Sequence, residues 1–363
     1  MRYYSLKNIL EYNATYNMII GERSNGKTYS VLHYIIERFV KYGEQGAIVR
    51  RYLDDFKKKR AANLFDSLIS NGVIEKLSNK KYNTIVYDGA RWFLANEYTD
   101  AKGKVVVEKC TSPLAYSYAI AAQEHDKGSS HPNITTIVFD EFISRMGYFP
   151  DEFILFTQTV STIVRERGNV TIFMLGNTVN KYCPYFTEMG LTHIPNMKQG
   201  TIDLYRFGNA DLTVAVEYCG KSNNSKPSDK YFAFDNPKLQ MITSGAWEIA
   251  IYPHAPMKIK PIDIIFSYFI KFGNDIVQCD IVNTDNSTFT YIHNKTTDIK
   301  DPENDLVFSM EYSHKFNFRR NITRPYDELG KKIAKYFAME KVFYQNNEIG
   351  EIVRNYLQIC KTM

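Results

Sequence analysis

The period of apolar and polar positions changes along the chain, and each change marks an element. YNMII (Tyr16 to Ile20) is a short, nearly unbroken apolar run and predicts a buried strand. After a polar stretch, Val31, Leu32, Ile35, Ile36 and Phe39 recur at helical spacing, which predicts a helix over Lys27 to Lys41. AIVRRY (Ala47 to Tyr52) predicts a second strand, with a helix following near Asp55 to Ile69. TIVYDGARWFLAN and KVVVEK predict a hairpin insert. TTIVFDEF (Thr135 to Phe142) and VTIFMLGN (Val170 to Asn177) are two more apolar strands, separated by a helix from about Asp151 to Arg165. Continuous apolar strands alternating with helices predict an α/β domain whose mainly parallel central sheet is covered on both faces.

Past about Arg206 the pattern breaks. Tyr218 to Lys238 is rich in Ser, Asn, Lys and Pro and predicts a linker. Ile264 to Asn294 then gives three strands separated by Gly-Asn and Asp-Asn turns, an antiparallel meander, and LVFSMEY adds a further strand-like run. Helical patterns follow near Tyr326 to Tyr344 and Asn347 to Cys360. The expected organisation is an α/β domain over 1–206, a linker region over 207–245 and a smaller α+β domain over 246–363, with no internal repeat relating the two.

Composition narrows the classes. With 363 residues and 44% hydrophobic content, the chain holds more apolar material than one core normally uses, which supports two domains. Lys and Arg outnumber Asp and Glu by 45 to 40, so an anionic partner is permitted and not demanded. Five cysteines, Cys110, Cys183, Cys219, Cys279 and Cys360, are widely spaced without a C-x-x-C pair, which points to a reduced protein without a zinc knuckle. No H-E-x-x-H occurs, and neither an apolar leader nor a long uncharged apolar stretch is present. The expectation is a soluble protein that is not exported and does not contact a membrane.

Chemistry enters with Gly21-Glu22-Arg23-Ser24-Asn25-Gly26-Lys27-Thr28, which fits G-x-x-x-x-G-K-[ST] between a strand and a helix. Such a loop turns its backbone N–H groups toward a polyphosphate at the helix N-terminus. Chance produces this match in roughly one chain in a hundred of this length. All eight residues are therefore candidates for binding ATP, Lys27 by neutralising the β and γ phosphates and Thr28 by offering its hydroxyl to Mg²⁺. TTIVFDE places Asp140 and Glu141 at the tip of an apolar strand, where a parallel sheet presents ligand-binding groups. Asp140 suits the hydrated Mg²⁺, and Glu141 suits the attacking water, whose proton it would take.

Three weaker candidates surround this pair. Asn177, at the end of VTIFMLGN, is placed to hydrogen-bond the γ phosphate or the water. Arg165 and Arg167 end the helix before that strand, and in a ring either could enter a neighbouring subunit's site as an arginine finger; Arg165 is favoured. Lys127, in HDKGSSHPN, could approach a neighbouring site in the same way. FKKKR (Phe56 to Arg60) and the basic, aromatic stretch Lys315 to Lys335 suit a nucleic acid backbone, though such runs are commonly solvated faces.

With GERSNGKT, KYGEQGAIVRRY, HPNITTIVFDEF and LGNTVNKYCPYF placed, the chain resembles the DNA packaging ATPases, or encapsidation proteins, of the phi-twenty-nine-like small tailed phages. The resemblance covers residues 17 to 190 and continues more loosely through FDNPKL. It implies an ASCE-type P-loop ATPase and a C-terminal domain similar to a ribonuclease-H-like nuclease without activity. It also implies a ring, taken as a pentamer, docked on a procapsid portal in the cytoplasm of an infected bacterium and driving double-stranded DNA inward, in some members with a packaging RNA. Arg165 and Lys127 match the family's trans-acting cations, whereas Leu53 stands where the family has a basic residue after VRRY. Asp280 lies on a predicted strand without further acids beside it, so DNA cleavage is not expected. A ring helicase or conjugative translocase would share the same ATPase core. A GTP switch fits less well, since Asn180-Lys181-Tyr182-Cys183 lacks the acid of Asn-Lys-x-Asp.

Overall fold

A computed structural model of the chain describes residues 4–122, 131–144, 147–165, 167–208, 211–220, 247, 250–255, 257–285, 287–299 and 304–362. The chain divides into two compact units, Met1–Trp247 and Glu248–Met363. The first unit extends beyond residue 206, because the stretch assigned to a linker contains a core strand.

Among the described residues, that unit is built on a ten-stranded sheet. Its strands are β1 (Tyr16–Gly21), β2 (Gln45–Arg50), β3 (Thr84–Asp88), β4 (Arg91–Thr99), β5 (Val105–Lys109), β6 (Ala115–Ala119), β7 (Ile134–Asp140), β8 (Thr171–Asn177), β9 (Thr201–Phe207) and β10 (Leu212–Tyr218). The order is β3-β4-β6-β2-β7-β8-β1-β10-β9, with β5 paired to β4. From β6 through β10 every neighbouring pair is parallel, and antiparallel pairs lie at the two ends. Consecutive residues of a strand face opposite sides, so burial on both sides requires an unbroken apolar run. Met18, Ile20, Ile137 and Phe139 enter one core with Phe156, Val160 and Ile163 of the helix Glu152–Val164. Ile19 and Val138 enter the other, with Val31, Leu32, Ile35, Ile36 and Phe39 of the helix Lys27–Tyr42.

One expected helix is broken. Over Asp55 to Ile69 the chain forms short pieces, Leu53–Phe56, Lys58–Ala62, Asn63–Phe65 and Asp66–Ser70. Lys57 is extended, with φ −58° and ψ 139°. Trp92 of β4 holds the pieces in place: its ring meets those of Phe56 and Phe65, each 5.9 Å away, and its indole N–H donates to the carbonyl of Ala61 at 2.8 Å.

The second unit holds a six-stranded sheet in the order β15-β14-β11-β12-β13-β16. The meander is β11 (Ile264–Phe272), β12 (Asp275–Thr284) and β13 (Ser287–Asn294), joined on one side by β14 (Val307–Ser309) and β15 (Phe318–Arg319) and on the other by β16 (Val342–Tyr344). Parallel strands added to the edge of an antiparallel trio fit the ribonuclease-H-like expectation. The helix expected over Tyr326 to Tyr344 ends at Ala338, since Glu340 turns left-handed at φ 57° and Val342–Tyr344 pairs with β13. Asp327 caps its start by accepting from the Gly330 N–H at 2.6 Å.

Asp280 of β12 lies at the centre of a buried polar cluster. Ser267 and Gln278 donate to one carboxylate oxygen at 2.7 and 3.1 Å, and His293 Nε2 meets the other at 2.8 Å. Burial pushes the Asp280 pKa up, but the hydrogen bonds from His293, Ser267 and Gln278 outweigh it and hold the group below its ordinary 3.8. A carboxylate with a lowered folded pKa contributes stability that is present above the unfolded value and lost as the pH falls through the folded one. Asp280→Asn should therefore cost about 2–3 kcal/mol at neutral pH. The gap to the wild type should narrow below about pH 4. Urea unfolding of both proteins at neutral and acid pH checks this.

Candidate active site

Gly21, Arg50, Asp140 and Asn177 are the last residues of β1, β2, β7 and β8. The registers Gly21 with Asn177, Asp140 with Leu175 and Val49 with Phe139 bring them to one edge of the sheet. Between them opens a cavity of about 430 Å³, within the range of small-ligand sites. Arg23, Ser24, Asn25, Gly26, Lys27 and Thr28 line it from the loop side, and Asp140, Glu141 and Asn177 face them. Tyr29 and Ser67 complete one wall, where the sequence carried no signal for them.

The loop's shape depends on two glycines. Gly26 precedes the helix Lys27–Tyr42 at φ 91°, a conformation that a β-carbon disfavours. A β-carbon on Gly21 would sit 2.8 Å from the Cys219 β-carbon, so the loop can leave the sheet here only without a side chain. Gly21 and Glu22 lie behind the cavity and offer their carbonyls to Lys27 Nζ at 3.4 and 2.7 Å. Lys27 Nζ also donates to Asn25 Oδ1 and to Asn177 Oδ1, each at 3.2 Å. Asn177 thus reaches the loop across the sheet edge. Burial pushes the Lys27 pKa down to about 8, against the nearby Asp140 and Glu22 charges.

Thr28 Oγ1 donates to Asp140 Oδ1 at 3.0 Å, and the Arg50 guanidinium holds Asp140 Oδ2 at 2.6 Å. A hydroxyl and a carboxylate this close, beside a loop of backbone N–H groups and a lysine, are the hard oxygen donors that a magnesium-bound triphosphate uses. The residues present fit that ligand: Thr28 and Asp140 could hold the metal, and Lys27 and the loop could hold the phosphates. Glu141 lines the same cavity, and its backbone is left-handed at φ 62°.

Arg165 and Arg167 have different surroundings. Arg167 donates to the carbonyls of Pro132 and Ile134, both at 2.6 Å, and to those of Ile163 and Val164. Its guanidinium therefore ties the helix Glu152–Val164 to the start of β7. Arg165 caps that helix at φ 41°, is exposed, and lies away from this chain's own cavity. Lys127 falls outside the described residues. In the basic run near β2, Lys57 pairs with Asp54 at 2.9 Å and Arg60 approaches Asp55 at 3.8 Å, so local acids offset part of its charge.

Arg50 and Arg51 were visible in the sequence only as part of VRRY, yet both contact the acidic strand tip. Arg51 donates to the Glu141 and Phe142 carbonyls and pairs with Glu152. The usable signal was two arginines closing an apolar parallel strand, where functional side chains collect.

A phosphate loop on β1, an acid-tipped β7 and a strand inserted between them define a P-loop ATPase fold of the ASCE type. Residues 1–224 match the model of the Podovirus DNA encapsidation protein (Gp16) family, and the chain belongs to that family. It is 29% identical over 204 residues to a DNA packaging protein of Bacillus phage phi29, covering 55% of this chain and 54% of that one. It is 30% identical over 186 residues to a DNA packaging protein of Bacillus phage B103, covering 50% of each. The chain thus spans about half the length of the curated relatives it matches. Among solved structures, the bacteriophage Phi-29 viral genome packaging motor assembly aligns with a TM-score of 0.56 at 21% identity, over 99% of both chains. The Phi-28 gp11 DNA packaging motor aligns at 0.52 and 18%, over 99% of this chain and 98% of that one. These likenesses concern the fold.

Proposed function

We propose that the chain is an ATP-driven motor that moves double-stranded viral DNA into a procapsid. The observation that carries this reading is the meeting of Lys27, Thr28, Asp140, Glu141 and Asn177 around one cavity in a member of a DNA encapsidation family. The loop N–H groups and Lys27 hold the triphosphate. Thr28 and Asp140 hold Mg²⁺, which when bound neutralises charge across the β and γ phosphates. Glu141 takes the proton of the attacking water, and Asn177 orients Lys27 and the γ phosphate.

Arg165 acts on a neighbouring subunit. It stands exposed at a helix end, whereas the guanidinium of Arg167 is occupied by backbone carbonyls. Lys127 is the second trans-acting cation. The working assembly is a ring, a pentamer by resemblance, docked on the portal in the host cytoplasm, with a packaging RNA as a further component. Relatives described as DNA packaging proteins support this reading.

ATP turnover with and without duplex DNA tests the function. Duplex should stimulate phosphate release and a forked duplex should stay paired. Strand separation would indicate a helicase instead, and indifference to DNA would remove the motor reading. Affinity for duplex should fall linearly on a log–log plot against salt, with a slope of about −0.9 per phosphate contacted. A salt-independent affinity, measured by fluorescence anisotropy, would contradict backbone recognition.

A further inference from the structure

We infer that Arg51 is a positioning residue for ATP cleavage: it holds the backbone of Glu141 in the conformation that presents the carboxylate to the cavity, and it anchors that hold on Glu152. The inference rests on the reading of Glu141 as general base. Arg50 ends β2 and Arg51 follows it, and the two arginines contact different groups at the acidic tip of β7. Arg50 reaches the Asp140 carboxylate. Arg51 is buried, 7% exposed, and its hydrogen bonds go to the Glu152 carboxylate and to two backbone carbonyls.

Its Nε and one terminal nitrogen form a two-pronged pair with Glu152, both at 2.8 Å. The same terminal nitrogen donates to the Phe142 carbonyl at 3.0 Å, and the other donates to the Glu141 carbonyl at 3.3 Å. Glu152 is itself completed by the Phe149 N–H and the Tyr185 hydroxyl, each at 2.9 Å. The planar guanidinium grips the carboxylate with two prongs while reaching both carbonyls from separate nitrogens, a fixed geometry that the single nitrogen of a lysine does not reproduce. What it restrains is strained: Glu141 is left-handed at φ 62°, a region that side chains with a β-carbon leave unless surrounding contacts hold them. From the other side, the Phe142 N–H donates to the Leu175 carbonyl at 3.2 Å, so the turn is gripped between β2 and β8. Glu152 also opens the helix that ends at Arg165. The hold on one catalytic acid and the helix bearing the proposed finger thus share a single ion pair.

Removing one partner of a buried pair harms folding whatever its role, so the test compares variants. Arg51→Met alone should lower Tm by about 10 °C. Adding Glu152→Gln removes the stranded charge and should restore most of that loss. Arg51→Lys keeps a charge beside Glu152 and should fold. In both Arg51→Lys and the double variant, ATPγS should bind within about threefold of wild type while kcat falls, by about a hundredfold in the double, with KM unchanged. Recovery of kcat together with Tm in the double variant, or full kcat in Arg51→Lys, would overturn the role. Glu141→Gln assayed in parallel separates the two readings. If it turns over at the wild-type rate, the general-base assignment fails, and what Arg51 was said to position fails with it. If it is dead while the Arg51 variants are fully active, only the Arg51 inference falls.

Discussion

Lys27→Ala should abolish ATP-dependent activity and leave a folded protein. The ammonium donates to the loop carbonyls and to two side-chain amides, and a triphosphate entering the cavity offers stronger acceptors in the same place. Hydrogen bonds between charged partners are each worth about 1.5–3 kcal/mol. Losing two of them should weaken nucleotide binding by about a hundredfold or more. Burial already disfavours the charged form of this lysine, lowering its pKa to about 8, so its removal relieves a desolvation cost in the nucleotide-free protein. Tm without nucleotide should therefore be unchanged or higher, and the stabilisation that MgATP gives the wild type should vanish. Calorimetric scans with and without MgATP check both. Normal turnover in Lys27→Ala would remove the phosphate-loop assignment.

Glu141→Gln should separate binding from cleavage. Glutamine keeps the size of the side chain, and Arg51 grips the backbone carbonyl of residue 141, so the turn should persist. The amide cannot take a proton from water, which should lower turnover by about 10²–10⁴-fold at nearly unchanged ATP affinity. Single-turnover phosphate release beside equilibrium ATP binding reads the two quantities separately. A parallel loss of both would mean that Glu141 supports the ligand and does not act as the base.

The legible parts of the molecule were those written locally. β1, β7 and β8 are buried on both faces, so each appears as an apolar run that no surface helix imitates. The loop from Gly21 to Thr28 and the pair Asp140–Glu141 are contiguous strings whose chemistry follows from order alone. β9 and β10 do not stand out as apolar runs because Asp203, Arg206 and Glu217 interrupt them. What makes β10 a core strand is its parallel pairing with β1, some two hundred positions earlier, for which the local sequence holds no sign. The local pattern therefore ends the first domain near residue 206, whereas its sheet continues to Tyr218. The helical pattern after β2 breaks for a similar reason: Trp92, far along the chain, fixes its breaks.

The same distance concealed the arginine pair. Arg50 finds Asp140 and Arg51 finds Glu152 only because β2 lies beside β7 in the sheet. Arg165 and Arg167 end one helix, and the sequence favours Arg165 without showing what surrounds either. Only the fold reveals that carbonyls of Pro132 and Ile134 lie under Arg167 while Arg165 stays exposed. Charge runs were the least informative signal, since Asp54 and Asp55 pair with part of the run after β2 and Asp327 pairs with Arg319 at 2.6 Å.

The most direct measurement is equilibrium binding of ATP to the purified chain with Mg²⁺ present, with Lys27→Ala beside it. The account predicts that the wild type retains a single adenine nucleotide per chain, that chelating the metal weakens it, and that the variant binds it about a hundredfold or more less tightly. A wild-type chain that holds no adenine nucleotide with magnesium present would contradict it.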